Sequence, residues 1–143
     1  MNEPKEERTA STSRLINARP KAVFQAIVTP DLLQRWWGPK GFTNTFNEID
    51  VRTGGKWTFT MHGPNGANYP NENVFEEVTE NERVAIRHVS HPHFVLTISL
   101  TEQGDQTLLH WNQEFETVSD FNKVKAIVVT ANEENLDRLE DVL

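Results

Sequence analysis

The sequence predicts an α+β domain: a curved antiparallel sheet of about six or seven strands around a long C-terminal helix, with two short helices after the first strand. Three observations carry this expectation. Apolar residues recur at threes and fours in two short early stretches, and again from residue 119 to the end. Between them, residues 42 to 115 read as alternating strands broken by turn residues. The turns are short, so successive strands pair as antiparallel neighbours. A sheet of this length presents one apolar face, and only the closing helix is long enough to cover it.

Taken in order, Met1 to Arg8 is polar and charged, and residues 1–9 are expected to be a disordered tail ahead of a single domain over 10–143. Thr9 to Ala18 is the first strand, with Leu15 and Ile16 as its apolar content. Pro20 suits a first helical turn, where its missing N–H is no loss. Val23 with Ile27 and Phe24 with Val28 then make Lys21 to Val28 a short amphipathic helix. A second helix begins with Thr29 as cap and Pro30 at the first position, with Asp31 near the positive end. It carries Leu33, Trp36 and Trp37 before Gly38-Pro39 stops it.

Strands follow at Trp57–Met61, Asn73–Val78, Arg83–Val89, Phe94–Leu100 and Gln106–Phe115, with the Gly54-Gly55 hairpin turning the chain into the first of these. The last helix carries Phe121, Val124, Val128, Ala131, Leu139 and Val142 on one stripe, flanked by Leu136 and Leu143, with Ser119 or Asp120 as cap. At roughly 24 residues it would span on the order of 36 Å, enough to cross a small domain. A sheet curled round such a helix leaves a space unless side chains fill it.

Composition narrows the function. The formal charge is −7, which argues against a phosphate-neutralising surface and so against nucleic acid. There is no cysteine, which excludes disulfides, thiolate metal sites and cysteine nucleophiles. No stretch approaches the roughly 18 apolar residues of a membrane span, and the start lacks a signal-type apolar core. A cytoplasmic location is the expectation. Phosphate-binding glycine loops and the Gly-x-Ser-x-Gly elbow are absent from the sequence.

Trp36-Trp37-Gly38-Pro39, then Asp50-x-Arg52-x-Gly54-Gly55-x-Trp57, form the most distinctive stretch. With Ala18-Arg19-Pro20 leading into Val23-Phe24, and Met61-His62-Gly63-Pro64-Asn65-Gly66, this pattern resembles the activator of heat-shock-protein-90 ATPase homologue family. That family belongs to the START-like, or SRPBCC, superfamily of helix-grip folds (the Bet v type). The resemblance covers roughly residues 10 to 143. It implies an apolar cavity between sheet and long helix, used by members as lipid, hormone or polyketide binders, as cyclases, or as co-chaperones in the stress response. No catalytic motif is shared across members, so no catalytic residue is carried over, and no cofactor is implied. The additional N-terminal domain through which eukaryotic co-chaperones contact the chaperone is not among these residues.

The residues themselves give the candidates. Asp50 and Arg52, two apart, are read as a cross-strand pair steadying the Gly-Gly hairpin; with Trp36, Gly38, Pro39, Gly54, Gly55 and Trp57 they form a fold signature. Trp36 and Trp37 are about 100° apart on a helix, so one packs into the sheet while the other lines the cavity. His88, His91 and His93 gather round a turn with no carboxylate among them, and zinc would need three or four converging ligands, so no metal is expected. His88, inside a strand, is the better candidate for a cavity hydrogen-bonder. Trp111, Gln113 and Phe115 form the more apolar face of their strand, making Gln113 a buried polar group in need of a partner; a one-residue slip would bring Glu114 inward.

The expected lining is Trp37, Phe59, Met61, Phe75, His88, Leu96, Trp111, Gln113, Phe121 and Lys125. The leading reading is binding of a small hydrophobic or aromatic ligand, lipid- or polyketide-like. Alternatives are a cofactor-free cyclase or hydrolase using His88 with Gln113 or Glu114, and a co-chaperone-like regulator whose contact patch is an exposed aromatic near Trp36 to Phe42 together with the acidic surface. Partners are thus a small hydrophobic molecule or a chaperone, with the chain a monomer or weak homodimer.

Overall fold

The computed structural model describes residues 3–143. The chain runs β1 (Thr9–Ile16), α1 (Pro20–Val28), α2 (Pro30–Trp36), β2 (Thr43–Ile49), β3 (Lys56–His62), β4 (Asn68–Thr79), β5 (Arg83–His88), β6 (Phe94–Gln103), β7 (Gln106–Phe115) and α3 (Val118–Asp141). Within the expected tail, Lys5–Glu7 form a 3-10 turn and the Arg8 guanidinium donates to Glu114 at 2.9 Å. Met1 and Asn2 lie outside the described residues.

All seven strands form one antiparallel sheet in the order β1-β7-β6-β5-β4-β3-β2. The six strands after α2 therefore follow one another as a meander. The first strand then closes the far edge by pairing with the last, Thr9 opposite Glu114 and Ile16 opposite Thr107. This long-range pairing sets β1 beside β7, and both strands contact α3.

Alternation decides which face is covered. On β7, Leu109, Trp111, Gln113 and Phe115 are buried, while Leu108, His110, Asn112 and Glu114 lie on the other face. Register carries this face sideways: Phe75, Ile86, Leu96 and Gln113 are successive neighbours across β4, β5, β6 and β7, as are Asn73, His88, Phe94 and Phe115. Leu136 and Leu139 of α3 are fully buried against this face. Arg14 of β1 fixes the helix from the side, donating to Asp137 at 2.6 Å and to Glu133 and Glu140 at 2.9 Å. Burial opposes its charge, but these carboxylates outweigh that and hold the guanidinium above its ordinary pKa.

Both caps differ from expectation. Thr29 sits at the start of α2 but makes no capping bond, its hydroxyl lying 3.4 Å from Gln25 Oε1 instead. On α3 the cap is Thr117, whose hydroxyl accepts from the Asp120 amide at 3.0 Å, because the helix begins at Val118 and not later. Among the described residues no helix is long and apolar enough to cross a membrane.

Candidate functional site

A cavity of about 140 Å³ lies between the sheet and α3. Its walls come from the Trp37-Gly38-Pro39 loop, from β3 to β7, and from Ala131, Asn132 and Asn135 on α3. The Trp36-Trp37 pair divides its labour as the helical spacing demands. Trp36 is fully buried with its indole N–H donating to Ala26 O at 2.8 Å; Trp37 is half-buried and faces the cavity. Trp37 meets Trp57 edge-on at 5.0 Å and Trp111 at 6.0 Å, so the aromatic wall is continuous.

The loop after α2 is held by the final helix. Arg138 Nη1 donates to the carbonyls of Trp37, Gly38 and Pro39 at 2.9–3.1 Å, and Nη2 to Arg35 O at 2.9 Å. The Gly38 amide donates to Asn135 Oδ1 at 2.5 Å. Gly38 has φ +98°, a conformation that favours glycine; a Cβ there would meet only the flexible end of Met61, its Cε 2.9 Å away, so the backbone and not the space selects it. This explains the Trp-Gly-Pro sequence physically: it is a clamp that fixes the upper wall to α3.

Of the expected lining, Trp37, Phe59, Met61, His88, Leu96, Trp111 and Gln113 lie around the cavity. Phe75, Phe121 and Lys125 do not. Phe75 lies behind the wall, stacked on Trp57 at 5.6 Å with rings nearly parallel. Phe121 is drawn into a separate cluster with Ala10 and Phe115, stacking on Phe115 at 5.3 Å where the first turn of α3 closes down on the sheet. Lys125 is exposed, its ammonium 5.7 Å from the Phe121 ring. The apolar stripe named the helix face correctly but not where along it the gap opens.

The expectation missed the asparagines. Asn71 and Asn73 from β4, and Asn132 and Asn135 from α3, also line the cavity. Asn135 was detectable: it sits four residues after Ala131 and four before Leu139, a polar residue in an apolar stripe. Gln113 finds its partner in this set, its Oε1 accepting from Asn132 Nδ2 at 3.1 Å.

His88 is buried, its ring stacked on Phe94 at 4.5 Å. Nδ1 lies 2.7 Å from Pro92 O and Nε2 lies 2.7 Å from Asn71 Oδ1, while Asn71 Nδ2 donates to Tyr69 O at 2.8 Å. A protonated ring satisfies both contacts; for a neutral one the Ser90 hydroxyl, 3.3 Å from Nε2, can donate, whereas reversing Asn71 would set its oxygen against Tyr69 O. Burial pushes the His88 pKa down, the Pro92 carbonyl works the other way, and the neighbouring His93 and His91 lower it further. Stability should therefore fall with acidification. Below the unfolded-state value near 6.5 the unfolded chain takes up a proton that folded His88 resists, so it gains up to about 1.4 kcal/mol per pH unit until the folded value is reached. Urea titrations at pH 7.5 and 5.5 should show a smaller loss for His88→Asn than for the wild type. An equal loss in both would assign the acid sensitivity elsewhere.

Glu114 is on the opposite face, paired with Arg8, so the slipped register does not occur and the His88–Glu114 pair does not form. His88 and Gln113 each bond other partners. His91 and His93 are exposed, and among the described residues no group of three His, Asp or Glu side chains converges. Asp50 and Arg52 pair at 2.7 Å, as read from their spacing, but in the β2–β3 loop and not across strands.

The comparisons agree with this architecture. The family described as "Activator of Hsp90 ATPase homolog 1-like protein" matches residues 17–143, nearly the whole chain. The chain belongs to this family. No curated protein matches it. Among solved structures, a protein from Nitrosomonas europaea is 21% identical, with a TM-score of 0.88 over 96% of this chain and 94% of its own. A protein from Arthrobacter aurescens is 20% identical, with a TM-score of 0.88 over 99% of this chain and 88% of its own. The AHSA1-like protein from Aeromonas hydrophila is 18% identical, with a TM-score of 0.73 over 93% and 91%. At these identities the neighbours establish the shared fold. The Trp-Gly-Pro clamp and the Gly-Gly turn are thus the way this member of the activator-homologue family builds the common wall.

Proposed function

We propose that the chain binds a small hydrophobic or aromatic molecule in the cavity between the sheet and α3. The observation that supports this is an aromatic-walled gap between the sheet and α3. Interiors normally fill to crystal-like density, so a gap walled by Trp37, Phe59 and Trp111 is a binding site in form. Its volume, about 140 Å³, compares with about 150 Å³ for an apolar cavity that takes benzene. A single ring fits this space. A lipid chain or a polycyclic polyketide is larger, and the narrower ligand is preferred for that reason.

The cyclase or hydrolase reading has less support, since no carboxylate lines the cavity and His88 is the one titratable group among its walls. A co-chaperone role has the family description in its favour. The aromatic patch expected to carry it is not exposed, however: Trp36 is buried, Trp37 faces the cavity, and Phe42 is half-buried against Tyr69 at 6.1 Å. A thermal-shift series running from single-ring compounds to long-chain lipids tests the proposal. Single rings should stabilise the protein, by about 2.7 kcal/mol at a hundredfold excess over Kd. If none shifts Tm and native mass spectra show no adduct, the gap is a packing feature alone.

A further inference from the structure

Most polar groups on the cavity wall are paired within the protein. Both His88 nitrogens and both ends of the Asn71 amide lie within hydrogen-bond distance of partners, and Asn135 Oδ1 accepts the Gly38 amide. Two ends have no partner among the described residues and yet are not sealed off: Asn73 Oδ1 and Gln113 Nε2. Their residues are only 5% and 8% exposed, and of the molecule's larger hollows they border this cavity alone. What stays open of them therefore opens into it. Asn132 Oδ1 is free as well, but Asn132 also borders a small cleft against β1.

The Asn73 end has a fixed character. Its Nδ2 donates to Trp57 O at 3.3 Å, and a reversed amide would set oxygen against oxygen. The open end is thus an acceptor, and the matching group on an occupant is a donor. Gln113 and Asn132 can turn over together and keep their bond, so Gln113 accommodates either kind. Asn73 also stands beside the aromatic wall: it is opposite Trp57 across β3 and β4, and Asn71 on the same face is opposite Phe59.

The wall limits the donor's charge. Among the described residues no Lys, Arg, Asp or Glu lines the cavity. An ammonium would be buried there without a counter-charge, at a desolvation cost that one amide oxygen does not offset. A neutral hydroxyl avoids that cost.

We propose that the ligand is a neutral single-ring compound of the phenol type, its hydroxyl donating to Asn73 Oδ1 and its ring against Trp37 and Phe59. This rests on the binding function proposed above and names its ligand class. The hydroxyl exchanges a bond to water for one to the protein, so the ring is buried with no polar group left unpaired.

Phenol and toluene share a shape and differ in the hydroxyl, while benzylammonium carries a charged donor. A gap with no open acceptor takes toluene ahead of phenol, because a hydroxyl buried without a partner forfeits its water. Here the order should be the reverse, with phenol about fivefold tighter in calorimetric titrations, the worth of one net hydrogen bond. Asn73→Leu should lower the phenol-to-toluene ratio about tenfold or more and restore toluene's lead. Gln113→Leu should leave phenol ahead. The ratio carries the result, since a change in room acts on both probes alike. If Asn73→Leu does not fold, the order in the wild type still decides.

Toluene ahead of phenol in the wild type would overturn the hydroxyl site while leaving the cavity a binding site. A preference lost in Gln113→Leu but kept in Asn73→Leu would refute the placement at Asn73. Benzylammonium as the tightest probe would rule out the neutral class. If no probe binds, this inference and the binding function fall together.

Discussion

Gly55→Ala is expected to lower unfolding stability by about 3 kcal/mol or more, at the upper end for an inserted methyl. A Cβ at Gly55 would lie 1.9 Å from Asp50 O and 3.0 Å from Arg52 O. Both obstacles are backbone and cannot swing aside. The turn is also tied to the sheet: the Gly54 amide donates to Phe75 O at 2.7 Å, and the Phe75 amide donates to Gly55 O at 2.9 Å. Relieving the clash therefore pulls the β2–β3 loop off β4. Gly54→Ala makes the internal control. Nothing lies within 4 Å of a Cβ there, and only its φ of +87° is unfavourable, so about 1–2 kcal/mol is expected. Urea midpoints for the two variants should differ clearly. Equal midpoints would show that the loop relaxes and that close approach is not why glycine stands at 55.

Trp36→Ala is the second large effect, at about 3–5 kcal/mol. The indole is fully buried, meets Trp37 at 5.6 Å and Trp111 at 6.3 Å, and satisfies the Ala26 carbonyl. Its removal leaves a void beside the cavity and an unpaired carbonyl, two penalties that add. Trp36→Phe keeps most of the packing and should cost less than half as much. Near-ultraviolet circular dichroism should also lose intensity, since the Trp36, Trp37, Trp57 and Trp111 rings are coupled by contact. A loss below about 1 kcal/mol would mean that the neighbours collapse into the void.

These two positions belong to the stretch from which the fold is legible, and the structure gives the reason. Gly55, Gly38 and Trp36 each answer a local demand: a backbone too close for a Cβ, a positive φ, a large ring at the seam of α2 and the sheet. Local demands leave a mark at fixed spacing. The strand alternation is legible for the same reason, and on β7 it placed Trp111, Gln113 and Phe115 on the buried face.

The site was legible only in part. Trp37, Phe59 and Leu96 could be assigned to the cavity from which face they occupy. Phe75 and Phe121 occupy the same faces, yet stack on Trp57 and Phe115 and fill space instead of lining it. Nothing in the spacing distinguishes the two groups. The asparagines leave no such mark, because a polar residue interrupts an apolar periodicity instead of extending it, although Asn135 lies squarely on the apolar stripe of α3.

Sequence alone thus determined the order of the elements, the covered face of the sheet and the family, because periodicity and turn chemistry act between residues a few positions apart. Only the tertiary structure decided where between sheet and helix a gap remains, which polar residues line it, and that Glu114 on the outer face pairs with Arg8. Those outcomes depend on how side chains from β3, β7 and α3, as much as 76 positions apart from Phe59 to Asn135, meet in one place. Packing sums over all such meetings at once, and no single stretch of chain carries the total.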